Sequence, residues 1–336
     1  MHPKHNPNLF PVRNVRRAFG RLAAVAAVCL PASAWAQPGS PAGVYVELEA
    51  QAVFGASDFE VGYRPSEFDP GVGSPVDLDD GDGWGGAFTL GYTWQNGWKA
   101  AVRYRRFDAD DSGGPISPGL IAFLPGVPLA PDVPSGVPFP FADVHTKVDS
   151  ETTFVDFEVG KDVTFAGGQL HLFGGLTYAS IERDIALIEP GCGCPPLALL
   201  MANDFHGLGP KIGVRGSVPL SGGVNLVGGT SVALLFGSAK FASHINDPFV
   251  PSYFKAEDDR AVAAINGEAG LAFAVGPGAL TIGYRIDAML DALDTDQRVS
   301  DVFSEFGFPQ IGDKDTDFVA HGPFARFAIP LAAVAN

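Results

Sequence analysis

Charge recurs along this sequence at intervals of two and four. Glu47 and Glu49, Arg103 and Arg105, Asp156 and Glu158, and Arg285 and Asp287 stand two apart. Lys99 precedes Arg103 by four, Lys211 precedes Arg215 by four, and Glu268 keeps the same phase among its neighbours. Side chains two apart share one face of an extended strand. Fixed charges of both signs on one face can hold water and set a field across a narrow passage. They can equally pair off and fill the space between them. The sequence leaves both outcomes open, a charged lumen or a plug of salt bridges.

Three other groups invite chemistry. Asp108-Ala109-Asp110 and Asp204-Phe205-His206 are carboxylate and carboxylate–histidine pairs. A histidine oriented by a carboxylate can activate water for hydrolysis, provided both pairs face one mouth. Asp77, Asp79, Asp80 and Asp82, with Gly81 and Gly83, look like part of a calcium loop, but the distal glutamate and full spacing are missing. Solvated acid is the simpler reading. Cys192 and Cys194, separated by one glycine, are either a strained disulfide or two thiols used otherwise. Two ligands are too few for a metal, and no cofactor is expected.

The elements that must carry these residues are strands. Leu208, Pro210, Ile212, Val214 and Val218 alternate with Gly209, Lys211, Gly213, Arg215 and Ser217. After a tight reversal at residues 219–223, Val224, Leu226, Val232, Leu234 and Phe236 alternate with small or polar residues. One face suits hydrocarbon and the other a lumen. A soluble β-sandwich would alternate in the same way, with its apolar face turned inward. Two features favour lipid. Glu47 and Glu49 lie opposite an unbroken apolar face (Val44, Val46, Leu48, Ala50, Ala52, Phe54), and Trp94 and Trp98 flank the tight turn Gln95-Asn96-Gly97, where an interfacial aromatic girdle sits.

The same pattern recurs as about ten strands of roughly 10 to 14 residues, joined alternately by short turns and long loops. The long loops are expected at 55–83, at 109–149 (rich in proline), around the two cysteines, at 238–260 and at 290–317. The expectation is therefore all-β: one closed antiparallel transmembrane barrel, its first and last strands paired because lipid permits no open edge. Lys99, Arg103, Arg105, Lys211, Arg215, Arg285 and Arg326 then point inward with Glu47, Glu49, Asp156, Glu158, Glu268 and Asp287, and the excess acid falls in the loops. Apart from Arg326, these are the expected pore-lining residues.

The N-terminus supplies an address. Lys4, Arg13, Arg16, Arg17 and Arg21 precede an apolar stretch, Leu22 to Leu30, and a small-x-small site at Ala34-Trp35-Ala36. Residues 1–36 read as a cleaved signal peptide and 37–336 as the barrel. Cleavage removes five of 22 basic residues and none of 38 acidic ones, moving the net charge from −16 to about −21. So acidic an exported chain repels phosphate backbones, and nucleic acid is excluded as a partner.

Asp204-Phe205-His206-Gly207-Leu208-Gly209-Pro210-Lys211-Ile212-Gly213-Val214 resembles the Legionella major outer-membrane protein family. So do Phe154 to Gly160, Leu172 to Ala179 and the closing Gly322-Pro323-Phe324-Ala325-Arg326-Phe327. The resemblance covers most of the mature chain and implies a pore-forming β-barrel of the bacterial outer membrane. It brings no catalytic residue, and no enzyme activity is expected. Barrels of this kind often end on an aromatic residue, whereas this chain runs past Phe327 and Ile329 to Asn336. The expected partners are outer-membrane lipid and lipopolysaccharide, the barrel assembly machinery, and small solutes or ions. A homo-oligomer is compatible with the same reading. Two alternatives stand beside the pore. One is a plugged structural or adhesive barrel acting through its surface loops. The other is a protease resembling the omptins, built on Asp108, Asp110, Asp204 and His206.

Overall fold

The computed structural model describes residues 42–57, 59–65, 73–78, 81–116, 121–122, 144–165, 167–189, 197–246, 252–293 and 316–333. The signal peptide, Cys192 and Cys194, Asp79 and Asp80, and most of the 109–149 loop lie outside them. The strands are β1 (Gly43–Ser57), β2 (Phe59–Pro65), β3 (Gly73–Leu78), β4 (Asp82–Thr93), β5 (Trp98–Ile116), β6 (Ile121–Ala122) and β7 (Val144–Phe165). They continue as β8 (Gly168–Glu189), β9 (Leu197–Ser221), β10 (Val224–Asn246), β11 (Ser252–Val275), β12 (Gly278–Leu293) and β13 (Thr316–Ala333).

Ten of these close into one antiparallel barrel in the order β1-β13-β12-β11-β10-β9-β8-β7-β5-β4. Every neighbouring pair follows in sequence around the barrel except the join of β1 to β13, where Glu47 faces Ala328 and Ala50 faces Ala325. The short turns use glycine where the backbone must enter the left-handed region: Gly97 at φ 79° and Gly223 at φ 80°. The remaining strands, β2, β3 and β6, form a separate sheet in which Tyr63 pairs with Ile121, linking the first two loop segments.

The expected alternation holds through the lower barrel. Val44, Leu48, Phe88, Leu90, Val102, Phe157, Leu172, Ile212, Leu226 and Ile282 point outward. Trp84 on β4 and Trp94, the residue just after it, lie ten residues apart and both are exposed in the outward phase. That is about 33 Å along the strand and roughly 24 Å along the normal at a 45° tilt, the height of a lipid-facing band. Aromatic residues at its two edges mark the interfaces.

The strands are longer than expected. β9 has 25 residues and β7, β8, β10 and β11 have between 22 and 24. Each of these five runs about ten residues past the band, or roughly 23 Å of height. The segment 238–260, expected as a loop, is mostly strand, with Ser238 opposite Asp259 and Lys240 opposite Glu257. β1 and β4, by contrast, stop within three residues of Phe54 and Trp84. The rim is therefore tall on one side.

In this projecting wall the polarity reverses without a break in alternation. Asp149, Glu182, Asp184, Lys240, Glu257 and Asp259 point outward, where the membrane has ended and water begins. Val148, Ile181, Ile185, Leu187, Met201, Phe205, Leu235, Phe241 and Val262 point inward and are buried. Part of the acid assigned to loops thus sits on the wall itself. Asp82, Asp110, Asp149 and Asp184 lie directly opposite one another across four strands. Asp108, Glu151, Glu182 and Asp204 form a second row beside them. Like charges placed directly opposite are unfavourable. Arg106 relieves the second row, reaching Glu151 at 2.6 Å, and Lys147 pairs with Asp149 in the first.

Candidate functional site: the charged interior

Inside the lower barrel the alternating charges meet. Glu49 on β1 accepts from Arg103 of β5 at 2.9 Å and from Arg326 of β13 at 2.7 Å, and it also pairs with Arg285 of β12. Glu268 of β11 takes Arg326 in a two-point contact at 3.0 and 2.6 Å and is shared with Arg285. Two carboxylates thus hold three guanidinium groups across the lumen. Asp287 accepts both a forked contact from Arg105, at 2.8 and 2.6 Å, and the Asn266 amide at 2.7 Å. On the other side Lys211 lies 2.9 Å from both Asp156 and Glu158, and Arg215 grips Glu158 at 2.9 and 3.0 Å. Thr177 donates to Asp156.

Taking these charges out of water is costly unless every one is paired and hydrogen-bonded. The shared, multi-partner geometry meets that condition. Aromatic rings cover what remains: Arg105 lies 4.4 Å from the Phe154 ring centre, Arg215 4.3 Å from Phe173, and Arg285 4.8 Å from Phe324. Glycine makes room for two of the rings. A Cβ on Gly213 would fall 2.3 Å from the Phe173 ring, and one on Gly91 would fall 2.2 Å from Tyr45.

Below this belt, at the end with the short turns, is an open cavity of about 550 Å³. Tyr45, Glu47, Lys99, Asp162, Gln169 and His171 line it, and Arg215, Glu268 and Arg326 form its floor. Asp162 organises the wall, accepting from Gln169 at 2.9 Å and facing Lys99 and His171 at 2.8 Å each. Above the belt the interior turns apolar. Val53, Phe107, Phe154, Ile181, Phe205, Leu235, Met289, Leu293 and Phe318 form one buried cluster.

All of the expected lining residues therefore point inward. All but Glu47 are bound in pairs or networks, and Glu47 lines the cavity. Sequence reasoning missed Asp162, which follows Lys161 near a strand end and reads as part of a turn. Its even spacing from Glu158 was the available signal. Asp108, Asp110, Asp204 and His206 all lie on the outward face, so the two pairs do not meet across the mouth. Alternation decides this. Each shares the phase of lipid-facing residues on its own strand, Tyr104 on β5 and Leu208 on β9. Among the described residues no group of three or more histidine, cysteine or acidic side chains is arranged to hold a metal.

The family model of the Legionella pneumophila major outer membrane protein precursor matches residues 46–330. The chain belongs to that family. Its members are outer-membrane protein precursors, in keeping with the barrel and with an exported, outer-membrane location. Solved barrels of similar fold are far from this family member in sequence. The outer membrane protease OmpT from Escherichia coli is 10% identical over 88% of this chain and 99% of its own, with a TM-score of 0.47. A major outer membrane protein from Thermus thermophilus is 13% identical over 84% and 99%, at 0.34. The toluene transporter TodX from P. putida is 10% identical over 87% and 91%, at 0.35. No curated protein matches the chain.

Proposed function

We propose that this barrel is a narrow outer-membrane channel for small ions and solutes, closed in the state described by the layer above its charge belt. The observation that carries this is the open cavity at the turn end, lined by charge and floored by the belt itself. A barrel built only as an anchor has no need of a water-accessible charged chamber reaching to mid-height. On this reading the partners are lipid and lipopolysaccharide around the apolar band, and small solutes or ions within. Fixed charges in the belt set the field that a passing ion meets.

A second reading, a plugged barrel acting through its outer surface, is favoured by the buried apolar cluster above the belt. Planar-bilayer recording separates the two. The purified, refolded protein is expected to give small, infrequent current steps. Replacing Arg103 and Arg105 by glutamine should change the ion preference, with a heat-modifiable gel shift confirming that the variant has folded. A wild-type barrel that carries no current selects the plug. Unchanged preference in the double variant removes the two arginines from the pathway.

A further inference from the structure

The layer above the belt is not uniform around the barrel. On the β9 to β13 side its buried inward side chains are Phe205, Leu235, Ala239, Val262, Ala264, Met289 and Phe318, apolar except for Asn203 beside Phe205. On the β1–β4–β5–β7 side buried polar side chains stand among the apolar Val53, Phe107, Val148 and Phe154. The inward face of β4 carries only small side chains, Gly83, Gly85, Ala87 and Thr89. Beside it are Gln51 on β1, Arg103 and Arg105 on β5, and Thr152 and Ser150 on β7, all more than nine-tenths buried.

Each of these five has a polar atom without a hydrogen-bond partner among the described residues: Gln51 Nε2, Arg103 Nε, Arg105 Nε, Ser150 Oγ and Thr152 Oγ1. Buried polar atoms in folded proteins nearly always have a partner, from protein or from water. Five gathered in one sector of one barrel therefore point to water, or a small polar solute in its place, along that sector. The chemistry of the five also has a direction. Two guanidinium N–H groups, an amide NH₂ and two hydroxyls can all donate, and three of them can do nothing else.

We infer that this sector is a hydrated track for small anions, leading from the arginines of the belt up the inward faces of β1, β4, β5 and β7. The inference rests on the channel reading and names its solute class and its route. Phe107 and Phe154 narrow the track, with ring centres 6.2 Å apart, and Arg105 lies against Phe154 at 4.4 Å. A turn of the Phe154 ring would therefore both widen the passage and uncover one face of the Arg105 guanidinium, which keeps its contact with Asp287.

Cysteine accessibility tests the track without relying on current. In a Cys192→Ser, Cys194→Ser chain, Ser150→Cys and Thr152→Cys are each treated with anionic and cationic methanethiosulfonates of equal size. Phe205→Cys and Leu235→Cys, on the apolar side, serve as comparisons. Positions 150 and 152 are expected to react at least tenfold faster than 205 and 235, and faster with the anionic reagent. Serine to cysteine is nearly isosteric, so the Ser150 variant keeps the test alive if Thr152→Cys folds poorly. Equal rates on the two sides, no reaction at 150 and 152, or preference for the cationic reagent would overturn the track. Reaction as expected in a barrel that carries no current would overturn the channel reading and leave the track standing.

Discussion

The lower and upper halves of this barrel solve opposite problems with the same strands. Below, lipid surrounds the wall, so Leu172, Ile212 and Phe157 face out while Glu49, Arg285 and Asp156 crowd the interior. Above, water surrounds the wall, so Glu182 and Asp204 face out while Ile181 and Phe205 fill the interior. The change takes place within single strands. On β8 the inward series runs Phe173, Thr177, Ala179, Ile181, Arg183, Ile185 and Leu187, apolar in its upper part except for the buried Arg183, and the outward series runs Leu172, Leu176, Tyr178, Glu182 and Asp184. A sheet has no preference for which face is oily. The medium on each side decides it, and here the medium changes partway along the chain.

The comparison can be broken most sharply at the belt. Glu49→Ala leaves Arg103, Arg285 and Arg326 short of a shared carboxylate inside the barrel. Breaking a buried charge pair in this way costs about 3–5 kcal/mol. Urea unfolding in lipid vesicles, followed by the gel shift, should show a loss of that order. A second contrast uses outward positions alone. Ile212→Arg places a charge in the lipid-facing band and should cost about 2–4 kcal/mol near the midplane. The same arginine at Asp184, in the projecting wall, should be neutral or stabilising. Equal penalties at the two sites would show that the wall does not leave the membrane where its polarity turns.

The smallest effect concerns the acid rows. Partial burial and the neighbouring Asp149 and Glu182 raise the Asp184 carboxyl above the usual aspartate range. Burial with Glu182 and Asp184 does the same for Asp204. A carboxyl whose pKa is raised by folding favours the folded wall at low pH. That contribution is complete below about pH 4, the ordinary aspartate value, and is lost as pH rises through the raised one. The projecting strands should therefore resist proteolysis better at pH 4.5 than at pH 7. Asp204→Asn should recover part of the difference at pH 7, on the order of 0.2–1 kcal/mol for one cross-strand pair. Added salt should act in the same direction by screening the rows.

The lower half was legible because lipid and lumen impose a simple alternation, and the inward phase of Lys99, Arg103, Lys211 and Glu268 follows directly from it. The upper half was less so. Around Lys240, Glu257 and Asp259, charge alternates with alanine and phenylalanine, and dense charge reads as loop unless the reversed alternation is followed. A polar residue pointing out and an apolar one pointing in is the ordinary pattern of a water-soluble strand, and it carries no mark of the barrel it continues. Which arginine meets which carboxylate was also hidden, because Glu49 and Arg285 are brought together by closure of the cylinder and not by any local spacing. The outward placement of His206 followed the same phase as Leu208, and only the full length of β9 made that plain.

That closure has a consequence for how the molecule comes into being. Nine of its ten joins are between strands adjacent along the barrel chain, and each can form as soon as its second strand arrives. The tenth, β1 against β13, unites opposite ends of the polypeptide and cannot begin until the last strand has been delivered. Until then two raw borders stand in hydrocarbon with their amides unmet, which the bilayer does not tolerate. Birth of this protein is therefore a waiting game, in which the earliest strand must be sheltered until the latest one arrives to shut the ring.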